Sequence, residues 1–247
     1  KMGEYWWLYA WLAWMGFNLM ILALYPTVIA PLFNKFSPLE DQALAERIKT
    51  LLQKCGFKSQ GLFVMDGSRR SSHGNAYFSG LGASKRIVFF DTLLSRLNHD
   101  EIEAVLAHEL GHFKRGHVIK RIISMFALSL AGLWLLGWLM PQDWFYQDLG
   151  VMTRSTDTAL LLFMLVSPVF TFLLHPVSSL YSRKHEFEAD RYAAENASGE
   201  ALIQALVKLY NDNAATLTPD PLHSLFYDSH PAAAQRVAHL RSLIGNR

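Results

Sequence analysis

His108-Glu109-Leu110-Gly111-His112 sets two imidazoles and a carboxylate in an HExxH pattern. On a helix, residues four apart share a face, so both rings can reach one zinc ion. Glu109 stands one position along, where its carboxylate can approach a water at the metal without being a ligand. Zinc lowers the pKa of such a water to about 7, and a general base takes its proton as attack begins. A catalytic zinc site uses three protein ligands and keeps one position open. The longer pattern HExxHxxGxxH would put a third histidine at 118, where the chain has Val118; His117 is one position off, on a different helical face. The third ligand must come from elsewhere. Glu186-Phe187-Glu188-Ala189-Asp190 offers two carboxylates four apart. Glu186 can complete a site for one Zn2+ per chain, while Asp190 accepts a hydrogen bond from the far N–H of a ligand histidine. Glu188 is turned about 200° from Glu186 around the helix and is the lesser candidate. The plain alternatives are two packed or solvated histidines and a solvated acidic helix end.

These residues need a frame, and the frame is apolar. Of the 247 residues 51% are hydrophobic and 18% charged, and the apolar ones gather into long runs. Runs at about 6–30, 118–140 and 159–181 are each long enough to cross a bilayer as a helix. Trp6, Trp7, Trp11, Trp14 and Trp144 lie near their ends, as interfacial aromatics do. The first run is too long and too aromatic for a cleaved signal peptide. Polar parts at about 32–117 and 182–247 complete a single membrane-embedded domain over 1–247. The segment between the first two runs carries Arg69, Arg70, Lys85, Arg86, Lys114 and Arg115, whereas Pro141–Thr158 carries only Arg154 against three aspartates. That bias puts 32–117 in the cytoplasm, and the third run returns the chain to the same side. The HExxH helix and the segment after Tyr181 are thus expected at one membrane face. A net charge of +2 gives no bulk field for nucleic acid. Cys55 is the only cysteine, which excludes an intramolecular disulfide and a cysteine-based zinc site.

Within the polar segment, Ser37-Pro38-Leu39-Glu40 predicts a helix start with Ser37 at the N-cap, running to about Lys54 and ended by Gly56. Leu62–Asp66, Ala76–Gly80 and Arg86–Asp91 read as short strands, and Gly67–Ser72 as a turn. A second helix is predicted from Asn98, with Ile102, Val105, Leu106 and Leu110 on one face. The tail from Ser198 is helical in pattern, with a break at Thr218-Pro219-Asp220-Pro221. The expected fold is mainly α, with a small β-sheet.

Gly3-Glu4-Tyr5-Trp6-Trp7-Leu8, Pro31-Leu32-Phe33-Asn34-Lys35-Phe36, Asn75-Ala76-Tyr77-Phe78, the HExxH and Glu186–Asp190 motifs, and Ser229-His230-Pro231 occur in that order. Together they resemble the zinc-dependent CaaX prenyl protease family of integral membrane enzymes. The resemblance implies a polytopic membrane protein with a gluzincin-like HExxH helix. It implies His108, His112 and Glu186 as zinc ligands, Glu109 as the catalytic glutamate and Asp190 as the carboxylate behind a ligand. It also implies Asn75 beside the substrate, and His230 and Arg236 in contact with the substrate backbone or the transition state; spacing alone says little of these three. The implied reaction is peptide cleavage near the C-terminus of prenylated proteins or related peptides. The implied place is the inner membrane of a bacterium or the endoplasmic reticulum of a eukaryote. Family members carry further membrane helices before the point where this sequence begins, and seven helices enclose a chamber; three spans are present here. A membrane quality-control protease would share the site chemistry. A silent membrane scaffold would have no need of Glu109. An intramembrane-cleaving enzyme would bury HExxH inside a span, whereas His108 and His112 precede one.

Overall fold

Apolar runs and polar segments sort into two compact units in the computed structural model, which describes residues 3–70, 74–79, 84–212 and 219–245. The first unit is Lys1–Leu22 with Val118–Val177, and the second is Ala23–His117 with Ser178–Arg247. In chain order the elements are α1 (Trp6–Leu24), a π-helical segment (Tyr25–Ile29), α2 (Ala30–Phe33), β1 (Phe36–Pro38), α3 (Gln42–Cys55), β2 (Lys58–Met65), β3 (Ala76–Ser79) and β4 (Ser84–Phe90). There follow α4 (Asp91–Leu94), α5 (His99–Lys114), α6 (His117–Leu139), α7 (Asp143–Gln147), α8 (Thr156–Phe172), α9 (His175–Asn196), α10 (Gly199–Asp212), α11 (Pro221–Tyr227) and α12 (Ala233–Gly245).

The first unit shows what lipid asks of a helix. Leu12, Phe17, Met20, Ile123, Leu128, Met164 and Val169 all point outward, an arrangement that water would punish and hydrocarbon accepts. Helices α1 and α6 meet through tryptophan. The Trp11 indole N–H reaches the Phe126 carbonyl at 3.0 Å and the Ser129 hydroxyl at 3.2 Å. Trp7 lies so close to Gly137 that a Cβ there would come within 2.7 Å of its ring. The third apolar run is not one helix. It breaks between Phe172 and His175, because Pro176 brings no N–H for the Phe172 carbonyl and its ring crowds that oxygen.

The second unit holds a four-stranded sheet in the order β1-β2-β4-β3, with β2 and β4 parallel and both edge strands antiparallel. Ser37 does not cap a helix. Ser37 and Pro38 belong to β1, paired with Val64 and Phe63. An edge strand tolerates a residue with no N–H. Asp41 caps α3 instead, accepting from the Leu44 N–H at 2.9 Å, and Gly56 ends it with φ +74° as expected. Ser71, Ser72, Gly80 and Thr218, at the limits of three sequence readings, lie outside the described residues. Leu44, Ile48, Leu51, Ile87, Phe89, Ile102, Leu106, Leu110 and Leu202 form the core on which α5 rests, with Val105 partly covered. Asn98 and Glu101 close a capping box at the start of α5.

Helix α5 crosses α9 at Gly111. A Cβ on Gly111 would lie 3.0 Å from the Ala189 Cα and 3.2 Å from the Ala189 carbonyl oxygen. Alanine is the better helix former by about 1 kcal/mol, but overpacking against backbone costs about 1–3 kcal/mol. Gly111→Ala is therefore expected to lower the unfolding midpoint of the detergent-solubilised protein. An unchanged or raised midpoint would show that the two helices part freely at this crossing.

Candidate metal centre

The crossing faces HExxH toward Glu186-Phe187-Glu188-Ala189-Asp190. His108 Nε2 and His112 Nε2 lie 3.1 Å apart. Glu186 turns one oxygen to each, Oε1 at 3.4 Å from His112 and Oε2 at 3.6 Å from His108. Donors held at about 2.0–2.2 Å around a tetrahedral zinc stand about 3.2–3.6 Å from one another, so this set has the span a zinc ion requires. It is the group among the described residues whose ligand atoms all fall within 4.8 Å.

Charge points the same way. The Glu186 and Asp190 side chains are 5% and 0% exposed, and the single buried guanidinium of Arg236 faces both. Two buried anions against one cation leave an excess of negative charge that a metal ion would neutralise. Without metal the excess falls on His108. Burial and the Arg236 charge oppose its protonation, but hydrogen bonds to Asp190 and Glu186 outweigh them and raise its pKa to about 9.

Asp190 backs His108 directly, with Oδ1 at 2.9 Å from Nδ1. Arg236 grips Asp190 in bidentate fashion, Nε donating to Oδ2 at 2.9 Å and Nη2 to Oδ1, while Nη1 lies 3.5 Å from Glu186 Oε2. Burial lowers the pKa of Arg236, and the bond to Asp190 more than reverses this. The resemblance implied Arg236 in contact with the substrate backbone or the transition state; its guanidinium is buried, with the Asp190 and Glu186 carboxylates as neighbours. His230 is different: its ring is exposed and its Nδ1 lies 3.1 Å from Glu186 Oε2. Arg183 donates to the Ser224 and Asp228 carbonyls, and Tyr210 to the Pro231 carbonyl, which pins the loop carrying His230. Glu109 is half-buried, and its carboxylate has no partner among the described residues.

Asn75 is exposed just before β3, and its carbonyl accepts from the Phe90 N–H at 2.9 Å. Strand β3 is an edge of the sheet and leans on the HExxH helix through Phe78 and Phe113, with ring centroids 4.9 Å apart. Sequence reasoning weighed His117 and Glu188 only as metal ligands and did not single out His185. His117 Nδ1 lies 2.9 Å from His112 Nδ1. The signal was there in Gly116: with φ +66° it ends α5 and turns the chain, so helical spacing does not carry over to 117.

The profile of Peptidase family M48 matches residues 38–244, and that of the CAAX prenyl protease N-terminal region with five membrane helices matches residues 1–35. CAAX prenyl protease 1 of Saccharomyces cerevisiae is 38% identical over 239 residues, covering 90% of this chain and 53% of that protein. Its Arabidopsis thaliana homolog is 40% identical over 244 residues, covering 96% of this chain and 56% of that protein. The crystal structure of S. mikatae Ste24p is similar with a TM-score of 0.84 at 36% identity, over 95% of this chain and 58% of that one. The chain spans about half the length of the curated relatives it matches. Apolar helices that face outward make it an integral membrane protein. The profile match, over a fold in which the HExxH helix crosses the Glu186–Asp190 helix, shows that the chain belongs to Peptidase family M48.

Proposed function

We propose that this chain is a zinc metalloendopeptidase of the membrane, cleaving peptide bonds near the C-terminus of prenylated CaaX-type proteins. The observation that carries the reading is the spacing of His108, His112 and Glu186, next in sequence to a carboxylate, Glu109, that has no partner among the described residues. Zinc held by those three residues would supply Lewis-acid polarisation of a water and of the scissile carbonyl.

The chain's own residues do the rest. Glu109 takes the proton of the attacking water on a carboxylate oxygen and passes it to the leaving amine nitrogen, as a general base and then acid. His230, exposed beside Glu186, donates to the oxyanion that develops on the carbonyl. Asp190 holds His108 by its Nδ1–H, and Arg236 holds Asp190, so the ring cannot swing away. An extended peptide adds to the open edge of β3, with Asn75 at its entrance. A lipid on the substrate brings it to the bilayer first, which is why a membrane enzyme suits such a tail. The substrate class rests on the names of the relatives. The charge bias of residues 32–117 supports an active site on the cytoplasmic side. Both units are read as one membrane-embedded metalloprotease domain over 1–247.

Zinc analysis of the detergent-purified chain is expected to find about one ion, lost in Glu186→Ala, as a three-ligand site requires. Glu109→Gln should keep the zinc and lose turnover of a prenylated peptide by about 100-fold or more; turnover near wild type would sink the assignment of the base. Asp190→Ala should weaken zinc binding by about 10–100-fold in chelator competition. An unchanged affinity would remove Asp190 from the site.

A further inference from the structure

His117 opens α6 with its side chain 1% exposed, and it is not among the three groups that face the metal point. Its Nδ1 lies 2.9 Å from His112 Nδ1, and its Nε2 lies 3.0 Å from Glu188 Oε2. The buried His185 ring stacks on it at 3.9 Å with the planes 10° apart, and Tyr181 stands edge-on to His185 at 4.2 Å. The ring of His117 is thus held flat between neighbours while both its nitrogens are spoken for.

The geometry fixes where the protons are. A neutral His112 that offers the Nε2 lone pair to a metal carries its proton on Nδ1. That N–H points at His117 Nδ1, which must be bare to accept it. Neutral His117 then carries its own proton on Nε2 and donates to Glu188, a carboxylate that can only accept. No other assignment of two neutral rings satisfies all three groups.

We propose that His117 and Glu188 form a relay that positions His112 as a metal ligand: Glu188 sets the tautomer of His117, and His117 sets the tautomer and plane of His112. It rests on the zinc reading above. His108 is backed by a carboxylate in direct contact, Asp190 at 2.9 Å. His112 is backed at one remove, through a neutral imidazole. The outer anion makes the Nδ1 of His117 a better acceptor than an isolated imidazole would be. Neither relay residue is among the groups that face the metal point; both are positioning residues.

Three variants of the full chain in detergent test the relay. His117→Phe keeps a flat ring against His185 and removes both nitrogens. Glu188→Leu removes the acceptor, and Glu188→Gln keeps an oxygen acceptor without the charge. Glu188 is 32% exposed, so its variants are expected to fold even if His117→Phe does not. Zinc affinity by chelator competition is expected to fall about 10–100-fold in His117→Phe and about tenfold in Glu188→Leu, and to stay within about threefold in Glu188→Gln. The thermal midpoint of the zinc-free protein should hold in Glu188→Gln, which keeps an acceptor for the buried His117 Nε2–H, and fall slightly in Glu188→Leu, which does not. In zinc-loaded wild type with 15N-labelled histidine, His112 should carry its proton on Nδ1 and His117 on Nε2. His117 should become a mixture of tautomers in Glu188→Leu.

Wild-type zinc affinity in Glu188→Leu would overturn the relay. So would a His117 proton on Nδ1 in the wild type. A zinc-free midpoint that falls in step with affinity in Glu188→Gln would reduce the pair to packing. A wild-type chain that takes up no zinc would take the zinc reading and the relay down together. Full zinc uptake with indistinguishable variants would remove the relay alone.

Discussion

The approach of α5 to α9 at Gly111 and Ala189 is the constraint on which the centre depends. Two helices with ordinary side chains at their contact lie about 8–10 Å apart. A closer approach shortens the gap that a glutamate on one and two histidines on the other must span. A glycine set against an alanine lets the backbones close, and the Ala189 carbonyl and the Tyr192 Cβ come to within 3.2 Å and 3.0 Å of where a Gly111 Cβ would sit. Glu186 and Asp190 flank Ala189 by one turn in total, so the same contact delivers both carboxylates. The small residues inside the two motifs matter as much as the charged ones.

Once the carboxylates are delivered, burial makes them demanding. An ionised group taken out of water needs partners or it loses its charge. Glu186 meets His108, His112, His230 and Arg236, and Asp190 meets His108 and both arms of Arg236. Arg236 arrives from α12, far along the chain, and its fixed fork suits a bidentate carboxylate where a lysine would offer a point charge. The last helix is thereby tied to the first motif by electrostatics rather than by core packing alone.

The sequence made the centre legible where one helical period carries the information. His108 with His112, and Glu186 with Asp190, each lie within one turn of one helix, so spacing predicts their shared face. Legibility ended at breaks in the period. Gly116 turns the chain by a positive φ, and His117, which spacing set aside as a ligand, comes back to the far side of His112. Pro176 divides a run that composition reads as one span. Ser37-Pro38 carries a good helix-start signal, yet pairing with β2 wins and Asp41 takes the cap. Only at Ser37-Pro38 did local propensity lose to a contact with a distant partner; the other two breaks are local, in one glycine and one proline. Arg236 shows the same limit: a resemblance could name it, but only the fold shows that Asp190 occupies its guanidinium.

The two ligand histidines end up supported unequally, and the inequality has a physical consequence. His108 leans on a carboxylate that is fully buried and already shared with Arg236. His112 leans on an imidazole whose own support, Glu188, lies toward the surface with Lys184 4.0 Å away. Charge near the first ligand is fixed by burial, whereas charge near the second is open to solvent and salt. Both carboxylates come from the same five residues of α9, one on each side of the helix. The turn that made Glu188 a poor candidate for the metal is what lets it reach His117 from the other side.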